Sequence, residues 1–213
     1  MLGTFLFALV LFGSAGRINW PGAWAFVAVF FLFLAFVLAW GTRNAPELLD
    51  ERSKTAANVK RWDKVIIRIY NFLLISLFIL AGLEARFRWS HMPWIWQALG
   101  GAAFLLAGNV IFWCMRTNAF LSARARIQDD RGHSVVQSGP YQYVRHPMYI
   151  AIMFLMPGIA LLLGSLWALI PAGMIAFLFM IRTALEDKML RTELPGYTEY
   201  AGRVRYRLLP GLW

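Results

Sequence analysis

Six runs of apolar residues divide the chain, and they constrain its possible folds more than any other feature. A helix that crosses the hydrocarbon core of a bilayer needs roughly 20 apolar residues. The chain is 60% hydrophobic, against about 45–50% in soluble domains. The runs are Leu2–Ala15, Ala23–Trp40, Val65–Leu83, Ile95–Met115, Tyr149–Leu163 and Leu166–Ile181. We therefore predict an all-α fold, a polytopic transmembrane helix bundle of five to six membrane segments.

The last two runs are short, and only Gly164 and Ser165 separate them. This spacing predicts a tight helical hairpin. Pro157 and Pro171 lie within it, and we expect each to kink its helix, which neighbouring helices can accommodate.

The basic residues flank the apolar runs and follow the positive-inside rule. A net charge of +10 could suit nucleic-acid binding, but this distribution favours a membrane protein without a nucleic-acid partner. One side carries Arg43, Arg52, Lys54, Lys60, Arg61, Lys64, Arg116, Arg124, Arg126, Arg131, Arg145, Arg182, Lys188, Arg191, Arg203, Arg205 and Arg207; the other carries Arg17, Arg86 and Arg88. We expect both termini in the cytoplasm and the bundle in a bacterial or archaeal inner membrane.

Tryptophans flank the turns on the less basic side and are typical of an aromatic belt at a membrane interface. They are Trp20, Trp24, Trp89, Trp94 and Trp96. The single cysteine, Cys114, rules out an internal disulfide and a multi-cysteine metal site, and we predict no metal ligands.

Two long connections separate the apolar runs. The first, Gly41–Lys64, predicts a short interfacial helix after Pro46. The second, Arg116–Pro147, predicts a small hairpin or turn around Asp130–Gly132 and another turn at Gly139. We divide the chain into a transmembrane scaffold, residues 1–115, and a functional core of loop, hairpin and tail, residues 116–213.

The segment Ser138–Tyr149 concentrates polar chemistry directly before an apolar helix. Pro147 suits the first helical position, which places His146 at or near the N-cap. A helix start offers free N–H groups and a positive dipole to a carboxylate or phosphate. Arg145 adds a forked, fixed charge. Contact with lipid headgroups is the alternative for both Arg145 and His146.

A second polar segment follows the hairpin. Glu186 and Asp187 lie about one helical turn past the last apolar run. They could pair with nearby arginines or hold a cationic ligand. Tyr197 and Tyr200 have a spacing that places them on one helix face, where they could be interfacial anchors.

These segments together resemble the isoprenylcysteine carboxyl methyltransferase family, which is grouped with the phospholipid methyltransferases. The pattern of that family runs G-P-Y-x-x-V-R-H-P-x-Y-x-G, then a hairpin, an E-E pair and a tyrosine-rich tail. The matching positions are Gly139, Pro140, Tyr141, Val144, Arg145, His146, Pro147 and Tyr149. The chain departs from the pattern at Ala151, where the family has glycine, and at Asp187, the second acid of the pair.

The resemblance implies that S-adenosylmethionine binds at the cytoplasmic end of the bundle and donates a methyl group to a lipophilic acceptor from the membrane. It implies Arg145 and His146 as catalytic residues, and Tyr141, Val144, His146, Tyr149, Glu186 and Tyr197 as cofactor-binding residues. The cofactor carboxylate would meet the helix start after His146, and its ammonium or sulfonium would face Glu186. The tyrosines would pack the adenine or cap the pocket.

The acceptor is open at this point. A prenylcysteine-like carboxylate is favoured, and Arg145 could orient it; an amine or thiol would benefit from His146 as a base. The alternatives are therefore a phospholipid N-methyltransferase and a small-thiol S-methyltransferase. Beyond them stand an NADPH-dependent membrane reductase and a non-catalytic membrane accessory protein. The sequence does not indicate an oligomeric state.

Overall fold

The computed structural model describes residues 2–53 and 58–213, and within these ranges the regular structure is helical without β-strands. Lys54, one of the basic residues counted above, lies outside the described residues. The helices are α1 (Leu2–Ala15), α2 (Pro21–Asn44), α3 (Pro46–Ser53), α4 (Arg61–Phe87), α5 (Trp94–Thr117), α6 (Pro147–Leu162), α7 (Leu169–Glu193) and α8 (Tyr197–Arg203).

Each of the six apolar runs has its own helix, although Leu163 and residues 166–168 lie in the turn between α6 and α7. By length and composition, α2, α4, α5 and α7 can each cross a membrane, while α1 and α6 are shorter apolar helices. Large apolar side chains cover the outside of the bundle; Phe72 and Leu106, for example, are each 69% exposed. Such a surface suits lipid rather than water. The protein is a polytopic transmembrane helix bundle, as predicted.

Helix α6 occupies the centre of the bundle between α5 and α7. Its closest approach to α5 depends on Gly100. A Cβ at Gly100 would lie 2.4 Å from the backbone nitrogen of Leu162. Gly158, on α6, faces the same crossing, where a Cβ would lie 3.2 Å from the carbonyl oxygen of Gly100. Small residues therefore let the two backbones pack directly against each other.

The predicted hairpin joins α6 and α7 through a turn in which Gly164 has a φ of +73°. Pro157 lies inside α6, as expected. Pro171 instead falls in the first turn of α7, where a missing N–H breaks no helical hydrogen bond. The reason for expecting a kink at Pro171 therefore does not apply.

The chain reverses direction at both ends of the bundle, and each end is named here by the structure that it holds. The connection end holds α3, residues 118–146 and α8; the hairpin end holds the turn between α6 and α7. The short helix after Pro46 is confirmed as α3. A single helical turn at Asp129–Arg131, closed by Gly132 with a φ of +63°, replaces the alternative of a small hairpin.

Candidate cofactor-binding and active site

A cavity of about 380 Å³ opens at the connection end. Its volume lies within the roughly 300–1,000 Å³ range of small-ligand sites. The polar and aromatic lining comes from five helices and the second connection; it includes Arg52, Tyr70, Asn71, His133, Tyr141, His146, Tyr149, Arg182, Glu186 and Tyr197. Since α3 and α4 contribute to this lining, the cavity draws on both sides of the boundary predicted at residue 115.

Helix α6 begins at the cavity wall as the sequence predicts, with His146 at the N-cap and Pro147 in the first position. The free N–H groups are fewer than expected. Pro147 has none, and the N–H groups of Tyr149 and Ile150 donate to the His146 carbonyl. Met148, which also lines the cavity, keeps an N–H without a partner among the described residues. One N–H donor, rather than a full helix turn, is therefore left for an anion.

Asp187 is the centre of a buried ionic network. Its carboxylate is fully buried and accepts hydrogen bonds from Arg145 Nε at 2.7 Å and Arg207 Nε at 3.0 Å. Arg191 Nε and the Tyr197 hydroxyl each donate to it at 3.1 Å. Three elements, the segment before α6, helix α7 and the C-terminal tail, thus meet at one side chain.

Arg145 uses its donors within the protein. Besides Asp187, its Nη1 donates to the carbonyl oxygens of Val204 at 2.6 Å and Arg205 at 2.8 Å. The N–H of Arg145 donates to Tyr206, and that of His146 to Arg207. The expected role of Arg145 in orienting an acceptor carboxylate would require breaking these bonds. In this geometry Arg145 is a positioning residue that fixes the tail beside His146.

Glu186 faces the cavity, although its neighbour Asp187 does not. Successive residues on a helix differ in direction by roughly 100°, so one acid can enter the network while the other remains accessible. The Tyr149 hydroxyl donates to Glu186. The guanidinium of Arg182 lies 5.2 Å from the centre of the Tyr149 ring. Asp187 thus takes the first of the two roles considered for the acidic pair, pairing with arginines, while Glu186 remains accessible from the cavity.

The tyrosines of the tail are buried. Tyr197 and Tyr200 are 4% and 2% exposed, which contradicts the alternative of interfacial anchors. Burial and the charge of Asp187 raise the pKa of Tyr197, and burial raises the pKa of Tyr200 to about 12. Both hydroxyls therefore stay protonated, and Tyr200 donates to the carbonyl oxygen of Tyr141 at 2.6 Å.

Two further predicted residues differ in what they offer a ligand. The Tyr141 hydroxyl is buried at the cavity without a hydrogen-bond partner among the described residues. Such a group is a candidate for ligand contact, because buried hydroxyls nearly always find partners. Val144 is buried in the interior and does not line the cavity. The position of Val144 therefore does not support the predicted contact with a cofactor in this cavity.

Neither Arg182 nor Asp63 was predicted as a site residue. Arg182 Nε donates to Asp63 Oδ1 at 3.0 Å, and the N–H of Ala125 donates to Asp63 Oδ2 at the same distance. This ion pair joins α4, α7 and the second connection. Arg182 stands four residues before Glu186, so helical spacing could have placed both on one face. The sequence pattern indicated Arg182 only as one of the basic residues that flank the apolar runs.

Helix α3 holds the second connection over the cavity. Arg126 donates to both carboxylate oxygens of Glu51, at 2.9 and 2.8 Å, and Arg52 donates to the carbonyl oxygen of Leu121 at 3.3 Å. Arg52 also lines the cavity. Burial, together with the charge of Arg182, lowers the pKa of Arg52. Two of the cations that line the cavity, Arg52 and Arg182, therefore repel each other.

His133 forms part of the wall opposite α6. Its Nδ1 accepts a hydrogen bond from the N–H of Gln128 at 3.4 Å, and its ring packs against Phe120. Burial lowers the pKa of His133, so the ring is neutral near pH 7. With Nδ1 accepting, the ring proton resides on Nε2.

Residues 95–194 match the sequence profile of the phospholipid methyltransferase family. This segment is therefore similar to that family. It contains α5, the second connection, α6 and α7, and with them Tyr141, His146, Tyr149 and Glu186. Tyr197 and the rest of the C-terminal tail lie beyond residue 194, where the match ends.

A curated relative aligns with the chain over a wider range. The cobalt-zinc-cadmium resistance protein CzcN of Cupriavidus metallidurans is 29% identical over 143 residues, which are 64% of this chain and 61% of that protein. The match thus spans about three fifths of the relative's length. Within residues 2–53 and 58–213, no group of three or more His, Cys, Asp or Glu side chains could hold a metal ion.

Proposed function

We propose that this protein is an integral membrane methyltransferase that transfers a methyl group from S-adenosylmethionine to a lipophilic acceptor. The observation that carries the proposal is the fold of the phospholipid methyltransferase segment. It lines most of a cavity at one end of a transmembrane bundle, and Glu186 is the acid in the lining of this cavity. The predicted orientation, with both termini in the cytoplasm, supplies the cofactor from the cytoplasmic side.

The residues present fit the cofactor. Glu186 offers a carboxylate to a cation, either the ammonium or the sulfonium group. Met148 offers an N–H to the cofactor carboxylate, and Tyr141 offers a hydroxyl with no other partner. Aromatic rings of Tyr149 and Tyr197 provide flat apolar surface for the adenine. When bound, S-adenosylmethionine supplies an electrophilic methyl group.

The side chains of the protein align the reactants and keep water away. Displacement at a methyl carbon requires a nucleophile in line with the leaving sulfur, and it depends on alignment more than on a strong base. Tyr149 is fixed in the lining by two contacts: its hydroxyl donates a hydrogen bond to Glu186, and the Arg182 guanidinium packs over its ring. His146 stays within 3.4 Å of the Tyr197 hydroxyl, which orients its ring.

Within this function we favour a prenylcysteine-like carboxylate as the acceptor. Arg145, the cation first expected to orient it, is engaged with Asp187 and the tail. Arg52 can take its place, since it also lines the cavity and its charge favours an anion. Apolar side chains of Ile67 and Ile152 line the same cavity and suit a lipid tail. A carboxylate is already ionised at pH 7, so its methylation needs no base.

The acceptor is tested by the chemical stability of the product. The protein in lipid vesicles is incubated with methyl-labelled S-adenosylmethionine and a farnesylated N-acetylcysteine, phosphatidylethanolamine or an alkyl thiol. We expect label in the first acceptor, released by alkali as methanol, because an ester hydrolyses and an N-methyl group does not. Arg52→Gln should raise the KM for this acceptor about tenfold through the loss of a charge-assisted hydrogen bond.

Other outcomes would change the assignment. Alkali-stable label in phosphatidylethanolamine would support the phospholipid amine alternative, and label in the thiol would support S-methylation. In both cases His146 would become the candidate base. Binding of S-adenosylhomocysteine without transfer to any of the three acceptors would contradict the favoured acceptor class but not the cofactor.

A further inference from the structure

The structure contains a second pocket, of about 420 Å³, at the hairpin end. Glu84 of α4 lines it, fourteen residues after Tyr70, which lines the first cavity. At 1.5 Å per helical residue the two sites are roughly 21 Å apart along α4. They therefore lie at opposite membrane interfaces, and the second is independent of the proposed methyl transfer.

The acidic side of this pocket is already satisfied by the protein. The Glu84 carboxylate accepts hydrogen bonds from the hydroxyl groups of Ser90 and Ser165. It also accepts hydrogen bonds from the N–H groups of Leu166, at 3.3 Å, and Trp167, at 3.1 Å. Glu84 is 3% exposed. These bonds fix the end of α4 to the turn between α6 and α7. The pocket therefore has a rigid wall, and its acid needs no further partner.

The basic side of the pocket has no partner in the protein. Arg17 and Arg88 both line it, and neither side chain has a hydrogen bond or ion pair within the described ranges. Gln97 lines it as well and is likewise unpaired there. Two arginines against one carboxylate leave a net charge of +1. The pocket thus favours an anion that can receive forked hydrogen bonds.

Arg88 occupies a backbone position that disfavours its side chain. Its φ of +55° closes helix α4 in the left-handed region, where its N–H donates to the Glu84 carbonyl at 2.7 Å. Glycine is the usual residue at such a helix end. An arginine here costs conformational energy that the fold itself does not require. Strain of this kind often accompanies a functional position.

The level of the pocket relative to the membrane indicates what kind of anion can reach it. Trp89, Trp94 and Trp96 are 48%, 76% and 50% exposed at this end of the bundle, and Trp20 forms part of the pocket. Exposed tryptophans of membrane proteins collect at the level of the lipid headgroups. Phosphate is the anion that every phospholipid carries at that level.

We propose that this pocket binds the phosphate of a membrane phospholipid between Arg17 and Arg88. The acyl chains would extend along the apolar outer surface of the bundle. A free phosphate ion offers the same oxygen atoms, so the test must separate the lipid from the ion. Arg88→Gly suits that test, because glycine accepts the positive φ and removes only the cation.

The experiment uses the full chain in detergent and counts retained lipids by native mass spectrometry during titration with dioleoyl phosphatidylglycerol. Arg17→Gln and Arg88→Gly should each weaken the first retained lipid about tenfold. Arg86→Gln is the matched control, since Arg86 lies at the same end but outside the pocket. It should leave binding unchanged, and excess inorganic phosphate should not displace the lipid.

Three results would overturn the proposal. Equal loss in Arg86→Gln would show a general effect of surface charge. Displacement by inorganic phosphate at similar concentrations would make the occupant a free ion. Undiminished lipid retention in both Arg17→Gln and Arg88→Gly would show that the pocket does not bind phospholipid. Thermal unfolding of each variant shows that a loss of binding is not a loss of folding. Arg17→Gln and Arg86→Gln should match the parent protein, and Arg88→Gly should unfold at the same or a higher temperature, because glycine relieves the positive φ.

Discussion

Glu186 and Asp187 show how adjacent residues of the same charge take different roles. Asp187 is fully buried and neutralises Arg145, which is 2% exposed at its side chain. Glu186 meets Tyr149 and the cavity instead. The sequence identified the pair but not this division, because it depends on the direction in which α7 faces the tail. The departure from the family pattern, Asp for the second Glu, falls on the buried member.

We predict that Asp187→Asn lowers stability far more than Glu186→Gln. Removing the buried carboxylate leaves Arg145 without its counter-charge, which costs about 3–5 kcal/mol. Glu186→Gln keeps the hydrogen-bond acceptor for Tyr149 and should remain within about 1 kcal/mol of the parent protein. Chemical denaturation in detergent measures both. Equal losses would show that Asp187 is not the structural member of the pair.

A second prediction concerns Arg145. Arg145→Lys should reduce thermal stability and activity together, because lysine cannot replace the four hydrogen bonds that Arg145 makes to Asp187, Val204 and Arg205. Circular dichroism and the transfer assay test this on the same sample. Lower activity with an unchanged melting temperature would instead indicate direct contact with a reactant.

At the scale of the helices, most of the fold could be predicted. Six apolar runs predicted six helices, four of which are long enough to cross a membrane. Pro147 and Gly164 marked the start of α6 and the hairpin turn. The end of α7 was not predicted, because hydropathy stops near Ile181 while the helix continues to Glu193. Those extra turns are held by ionic contacts that composition alone does not reveal.

The crossing of α5 and α6 gives a test at this scale. Gly100→Ala should destabilise the bundle by about 1–3 kcal/mol, because the added methyl overlaps the backbone of α6. Gly101→Ala is the matched control, since its nearest neighbour would be the end of Leu162 at 3.5 Å. Thermal unfolding of both variants should separate them. Equal stability would contradict the close packing described.

For the whole molecule, the candidate site was predicted only in part. The motif residues Tyr141, His146, Tyr149 and Glu186 do meet at one cavity. Arg52, Asp63 and Arg182 were missed as site residues, because they come from distant parts of the chain and join it through tertiary contacts. Local pattern shows which residues carry chemistry, whereas the ion pairs between helices decide which of them remain available to a ligand.

The central claim is that the cavity binds S-adenosylmethionine through Glu186, and calorimetric titration tests it most directly. The purified protein is titrated with S-adenosylhomocysteine, with NADPH in parallel, and Glu186→Gln is compared with Glu199→Gln, an exposed acid on α8. We predict saturable binding of S-adenosylhomocysteine alone, weakened about tenfold by Glu186→Gln and unchanged by Glu199→Gln. Binding of NADPH alone, silence from both ligands, or full affinity in Glu186→Gln would contradict the account.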